Sequence, residues 1–277
     1  MKIGMYMNPY DERYARLGDG RFEMLARSGF STVDYNIANT DSELYTCDAS
    51  RLKEIMKRER TLADAASIEI SQVHGPWRYP PQDATAEDRR ERMEKMKRSL
   101  LATSLLGCPY WVVHPIMPQG SKDLLVNGAE ETWERNVEFM TELVKHARAL
   151  GVTVCLENMP MRQFSIATPT QILKLVRAVN DDSLKICLDT GHVAVFPTLT
   201  PAAAVRELRH EIKVLHVHDN LGEKDSHLWP CEGIVDWSEF VHALREIGFD
   251  GYFTNIRVTD IDTSTRISKI FPGVVAR

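Results

Sequence analysis

Acids and imidazoles recur at the ends of apolar runs in this chain, and these residue types can hold a divalent cation and move protons. His74 closes Gln72-Val73-His74-Gly75, and His114 closes Trp111-Val112-Val113-His114-Pro115. Glu157 follows Val154-Cys155-Leu156, and Asp189 and His192 close Cys187-Leu188-Asp189-Thr190-Gly191-His192. His216, His218 and Asp219 close Val214-Leu215-His216-Val217-His218-Asp219-Asn220, with Asp225 and His227 in the segment that follows. Only His146, His210 and His242 fall in helix-like stretches. Burying such groups together costs several kcal/mol per uncompensated charge, unless something positive holds them. Neutral imidazole with carboxylate is the ligand set that suits Zn²⁺, Mn²⁺ or Fe²⁺. Thiolates are missing from these positions, which argues against a structural cysteine-type zinc site.

Each residue also has a plainer reading. A lone histidine at a strand end is usually a hydrogen-bonded core or surface group, and His74 or His114 taken singly reads that way. His216 lies two residues before His218 on the same strand face, so it reads as packed beneath the mouth, or as supporting a ligand from behind, rather than as a ligand itself. Asp219 points to the opposite face, where it caps a turn. Glu157 and Asp189 each need a partner, and Arg162 or Lys185 brought in by the fold is the alternative to a cation.

The elements that carry these residues alternate in type. Short apolar or β-branched runs stand at 2–7, 31–37, 68–74, 110–114, 152–157, 184–189, 212–218 and 251–258. Helical periodicity fills most of the spaces between, as at 87–106 and 129–150, with Gly151 as a C-cap. Thr168-Pro169 reads as an N-cap with proline at the first helical position, and Asp236 or Ser238 caps a helix running to Ile247. Strand–helix alternation predicts parallel βαβ units, and eight strands predict a closed α/β barrel, (β/α)₈, over 1–277 as a single domain. A Rossmann-like sheet is the nearest competitor, but no Gly-x-Gly-x-x-Gly follows a strand and no P-loop is present. The irregular piece from Gly75 to Thr85, with Pro76, Pro80 and Pro81, belongs at the barrel's active-site mouth. In such a barrel the C-terminal strand ends converge, which would gather the acids and histidines at one rim.

Composition narrows the function classes. A net charge of −5 supplies no global field toward nucleic acid or anionic lipid, so neither is expected as a partner. Five widely spaced cysteines suggest reduced thiols in a cytoplasm, and Cys155 and Cys187 inside apolar runs read as buried structural thiols. The N-terminus opens directly into a strand pattern, without the apolar segment of a signal peptide or membrane span. The sequence leaves a homo-oligomer open.

At the residues named first, the sequence resembles the xylose-isomerase-like superfamily of barrels, which includes sugar epimerases, hydroxypyruvate isomerases, inosose dehydratases and endonuclease IV. The resemblance runs from Lys2 to about Val258. Its most specific pieces are Leu156-Glu157-Asn158, Asp189-Thr190-Gly191-His192, His216-Val217-His218-Asp219 and the stretch from Asp225 through Gly233 to Trp237. For a sugar-acting member it implies a divalent ion (Mn²⁺, Zn²⁺, Mg²⁺ or Fe²⁺) on Glu157, Asp189 and His218. Asp225, His227 and Asn255 are secondary candidates for the same ion. His192 would touch substrate and share catalysis with Glu157, while His74, Trp77, His114 and Arg257 would line the substrate site. The chain departs from the pattern at strand eight: the family's glutamate would fall near Ile256, within Thr254-Asn255-Ile256-Arg257. A one-base proton shift or dehydration through an enediolate therefore fits better than two-base epimerisation.

The leading expectation is thus an isomerase, epimerase or dehydratase acting on a small sugar, sugar acid or polyol. A multinuclear zinc phosphodiesterase is the second, because His74, His114, Asp225 and His227 resemble further ligands of the three-zinc site of endonuclease IV. A barrel that binds a ligand or partner without turnover is the third, motivated by the missing glutamate.

Overall fold

The computed structural model describes residues 1–77, 85–117 and 128–255, without the side chain of Asn255. Eight strands follow one another with helices between them: β1 (Lys2–Met7), β2 (Thr32–Asn36), β3 (Glu69–His74), β4 (Tyr110–Val113), β5 (Thr153–Glu157), β6 (Leu184–Asp189), β7 (Ile212–His216) and β8 (Tyr252–Asn255). All paired strands run parallel, in the spatial order β7-β6-β5-β4-β3-β2-β1-β8. The ring closes where the Val217 N–H donates to the Thr254 carbonyl at 2.8 Å. This is the expected (β/α)₈ barrel. No helix among the described residues is long and apolar enough to cross a membrane.

Local signals set the helix bounds. Thr168 accepts from the Gln171 N–H while the Gln171 side chain accepts from the Thr168 N–H, with Pro169 at the first position of the helix Pro169–Val179. Thr85 and Asp88 form a second such box, which starts the next helix at Ala86 rather than 87. Asp236 caps Trp237–Glu246, so Ser238 lies inside that helix. Gly151 follows Ala129–Ala149 at φ +68°, where a side chain would be strained.

Two strands are shorter than their apolar runs suggest. β4 ends at Val113, because Pro115 has no N–H to continue a ladder. β7 ends at His216, and the His218 N–H turns to the Thr190 hydroxyl at 3.0 Å. His114 and His218 therefore sit just beyond their strands. Most of the loop expected over 75–85, and the strand-eight extension past 255, lie outside the described residues.

The barrel has two cores. Between sheet and helices lies a continuous apolar layer that includes Trp111, Leu156, Phe240 and Phe253. Inside the ring, Val112, Cys155, Cys187 and Val214 pack as a small separate cluster. Burial pushes both thiols up, Cys187 to about 12, so both are inert structural groups as expected. The inner face of β1, β2, β3 and β8 is polar instead: Gln72 donates to Asp34 at 3.2 Å, Thr254 approaches Gln72 at 3.5 Å, and Gly4 leaves room for Thr32 and Thr254. Strand periodicity then puts Glu157 above Cys155, Asp189 above Cys187 and His216 above Val214.

Candidate functional site

Strand ends at the C-terminal rim bring the expected residues around a cavity of about 420 Å³, lined by His74, Trp77, His114, Glu157, His192, Asp225 and His227 among others. Glu157, from the end of β5, is fully buried between imidazoles: its Oε2 lies 3.0 Å from His114 Nε2 and 3.6 Å from His74 Nε2, and its Oε1 lies 2.9 Å from His216 Nδ1. Burial alone would raise this carboxyl. The charges of His216 and His114 and their hydrogen bonds win, and hold it well below the usual carboxylate range. Burial dominates at His114, whose pKa falls below its ordinary value despite Glu157.

Asp189 ends β6 and caps the short helix Thr190–Ala194, accepting from the His192 N–H at 2.7 Å. Its Oδ1 also lies 2.9 Å from His218 Nε2. Asn158 fixes Asp189 from the side, its amide donating to the Asp189 carbonyl at 3.1 Å and accepting from the Asp189 N–H at 2.8 Å. The segment after β7 is tied back by Asp219, which accepts from the N–H groups of Asn220, Cys231 and Val235 and from Trp237 Nε1. Asp219 thus secures the loop that carries Asp225 and His227. His227 stacks on His218 with ring centroids 4.2 Å apart and reaches Asp225 Oδ2 at 2.9 Å.

Three donor groups result, each with ligand atoms within 4.8 Å of one another: His192, His218, Asp225 and His227; Glu157, Asp189 and His192; and His74, Glu157 and His216. His218 meets Asp189, but groups with Asp225 and His227 rather than with Glu157. His192, expected at the substrate, belongs to two of the groups. His216, expected as a packed histidine or one supporting a ligand, touches Glu157 directly and stands with it in the third group. Trp77 is 44% exposed and meets His114 edge-on at 6.0 Å. The Asn255 side chain, Ile256 and Arg257 lie outside the described residues. Neither predicted cationic partner arrives: Arg162 donates to the carbonyls of Val195 and Gly222, and Lys185 pairs with Glu211. Both long side chains find closer acceptors, on loops and on the 3-10 turn Arg209–Glu211 that precedes β7. Asp34 and the bracing role of Asn158 were not foreseen from sequence, although an acid within Thr32-Val33-Asp34-Tyr35-Asn36 was a visible signal.

The donor set fits a cation. A carbonyl only accepts, so the contact of His192 Nδ1 with the Asn158 carbonyl at 2.7 Å places a proton on Nδ1. Neutral His192 would then aim its Nε2 lone pair at Asp225 Oδ2, 3.3 Å away, an arrangement that needs a positive charge. Without a metal, protonation supplies it: burial opposes the charged form, but Asp189, Asp225 and Glu157 raise the His192 pKa to about 9. His74 repeats the geometry, with Nδ1 on the Gly75 carbonyl at 2.9 Å and Nε2 toward Glu157. Asp225 Oδ1, buried and 3.6 Å from His218 Nε2, has no hydrogen-bond partner among the described residues. A bound cation would satisfy that oxygen.

Gly191 makes the packing of His218 possible, since a Cβ there would lie 2.0 Å from the imidazole Cε1. Gly191→Ala is therefore expected to push the ring aside and weaken binding of Zn²⁺ or Mn²⁺ by about 10- to 100-fold in calorimetry. The overpacking should also cost about 1–3 kcal/mol in a denaturant melt. Unchanged affinity would show that His218 takes no part in holding the ion.

Known proteins share this architecture. D-psicose 3-epimerase of Ruminiclostridium cellulolyticum is 25% identical, over 91% of this chain and 82% of its own. The crystal structure of a D-tagatose 3-epimerase-like protein superposes with a TM-score of 0.76 at 25% identity, covering 99% of this chain and 98% of that one. The IOLI protein, solved with a bound zinc atom, superposes at 0.73 with 19% identity, covering 99% and 98%. The family model for xylose isomerase-like TIM barrels matches residues 22–260, and the chain belongs to that family.

Proposed function

We propose that the chain is a divalent-metal-dependent isomerase, epimerase or dehydratase of a small sugar, sugar acid or polyol. The observation that carries this reading is the convergence of Glu157, Asp189, His192, His218, Asp225 and His227 at one rim, with only imidazoles as counter-charges among the described residues. The sugar epimerases among its relatives support the substrate class.

Glu157 and Asp189 would hold the ion, with His192, His218, Asp225 and His227 as the adjoining donors. Once bound, a divalent ion supplies Lewis-acid polarisation of adjacent carbonyl and hydroxyl oxygens, worth several kcal/mol as negative charge develops. Glu157, with His216 2.9 Å from one carboxylate oxygen and His114 3.0 Å from the other, would take a proton from the carbon beside the carbonyl and return it. His114 and His216 would steady the carboxylate between the two transfers. His192 orients a hydroxyl, and the exposed ring of Trp77 offers an apolar face to the sugar. Ile256 carries no carboxylate, which favours one-base chemistry centred on Glu157.

Incubation with Mn²⁺ and a panel of keto-sugars in D₂O, read by proton NMR, tests the proposal. Deuterium is expected at the carbon next to the carbonyl of at least one sugar. Chelation should slow the exchange at least about 100-fold, the equivalent of the stabilisation lost with the ion. Added Mn²⁺ or Zn²⁺ should restore it. Failure to label any sugar would sink proton-transfer chemistry.

A further inference from the structure

A second cavity lies on the outer wall of the barrel, between the helices Ala86–Leu105 and Ala129–Ala149. It encloses about 420 Å³, and among the described residues none borders both this cavity and the one at the rim. Positions 86, 89, 90 and 93 of the first helix line it, as do 135, 138, 139 and 142 of the second. Both sets have the i, i+3, i+4, i+7 spacing of a single helical face. A face turned toward a neighbouring helix is ordinarily apolar, but these two carry Arg89, Arg90 and Arg135, with Arg92 beside them. We propose that this groove binds a small organic phosphate, its phosphate on the arginines and its carbon skeleton against Met93, Phe139 and Ile116. The inference goes beyond the reading of the rim and does not depend on it.

Solvated surface charges point outward, whereas Arg89 and Arg135 are half-buried and Arg92 is buried. The guanidinium groups of Arg89 and Arg90 have no ion-pair or hydrogen-bond partner among the described residues. Arg92 lies over the Phe139 ring, 4.5 Å from its centroid, which fixes the plane of one guanidinium in the wall. Ala86, the first residue of its helix, lines the same groove, so the positive end of that helix dipole adds to the arginines. Opposite them stand two acids, and Glu142 is already engaged by His146 at 2.9 Å. Cation is thus in local excess, in a chain whose net charge is −5. A guanidinium fork matches two phosphate oxygens at once, so phosphate suits this wall better than a single carboxylate does. The far side of the groove is preformed: Asn136 accepts from the Ile116 N–H at 2.7 Å and donates to its carbonyl at 2.9 Å. Glu138 and Glu142 lie about one and two turns beyond Arg135, so the cleft is basic at one end and rich in acceptors at the other. Hydroxyls on a sugar or ribose would donate to Glu138 while the phosphate stays at the basic end. The volume fits a molecule of that size rather than a lone inorganic ion.

Calorimetric titration of the full chain, stripped of metal so that phosphate finds no ion at the rim, tests the site. Glucose 6-phosphate and AMP are the probes, with glucose, adenosine, sulfate and a short DNA duplex as comparisons. At least one of the two esters should bind with a Kd below about 1 mM, and the parent alcohols should give no heat. Arg89→Glu and Arg90→Glu should each weaken that ester at least about 10-fold. Arg89→Lys should weaken it less, because the charge stays while the fork is lost. Arg177→Glu makes the same charge change on the exposed face of another helix and should leave Kd at the parental value. Circular dichroism identifies any variant that does not fold, and the lysine variant then decides. Absence of heat from both esters would overturn the proposal, as would parental affinity in both folded charge reversals. An equal loss in Arg177→Glu would show attraction to overall charge and no built site. Sulfate bound as tightly as the ester would leave an inorganic anion only, and tighter binding of the duplex would make the face a nucleic-acid surface; either overturns the organic phosphate.

Discussion

Glu157→Gln should reduce deuterium exchange into substrate by about 10²- to 10⁴-fold, the range expected when a positioned proton-transfer group is removed. The change keeps shape and volume, so the loss reports charge and basicity. An amide offers one acceptor and one donor where the carboxylate offers two acceptors. The site presents His216 Nδ1 at 2.9 Å to one oxygen and His114 Nε2 at 3.0 Å to the other. Whichever way the amide turns, one imidazole faces an NH₂ group. Stability should fall as well, by about 3–5 kcal/mol, because an ion pair buried on both sides loses one member. The two readouts are separable: rate is measured as deuterium incorporation and stability by denaturant unfolding of the metal-free chain. Retention of more than about a tenth of the parental rate would remove Glu157 from the chemistry.

The second large effect is expected at Asp219, which touches neither cavity nor donor group. Its carboxylate accepts from three backbone N–H groups at 2.9–3.1 Å and from Trp237 Nε1 at 2.8 Å, and its own backbone pairs with Leu228 in both directions. Gly233 packs so closely beneath it that a Cβ would lie 2.2 Å from Oδ1. Hydrogen bonds to a charged acceptor contribute about 1.5–3 kcal/mol each, less when shared. Asp219→Ala, which strands three buried donors and the half-buried Cys231 N–H, should therefore cost about 3–5 kcal/mol. Asp219→Asn should cost less, since one oxygen still accepts. The loop between Asn220 and Val235 carries Asp225 and His227, so Zn²⁺ affinity should drop in both variants. Denaturant melts and zinc calorimetry check the pair, and losses under about 1 kcal/mol in both would show that the loop is held by other contacts.

The barrel was legible because its period is written twice, once in the alternation of strand and helix and once in acids that end apolar runs. Glu157 and Asp189 stood out for the same reason: a carboxylate closing an apolar strand has to be compensated. What could not be read was which inward residues share a height. Strands in a closed barrel are staggered, so the level at which Asp34 of β2 meets His216 of β7 depends on shear, which no local pattern encodes. Asp34 carried the same signal as Glu157, but mid-strand rather than at the rim. The cationic partners failed for a different reason. Arg162 and Lys185 are long, and the acceptor each finds is set by loop geometry rather than by proximity in the chain. Asn158 shows a third limit, since a side-chain amide that substitutes for a peptide group looks like any polar residue at a strand end.

The ring closure also bears on how such a barrel diverges. Among the described residues, every other neighbouring pair of strands is zipped by a ladder, whereas β7 and β8 meet through the bond from Val217 to Thr254. A strand laced firmly on one side only can exchange its terminal residues without dragging two partners along. β8 is also where this chain parts from the ligand pattern that its other strand ends resemble. Among the described residues, the strand pair with the fewest mutual bonds thus adjoins the position where the expected rim carboxylate is an isoleucine.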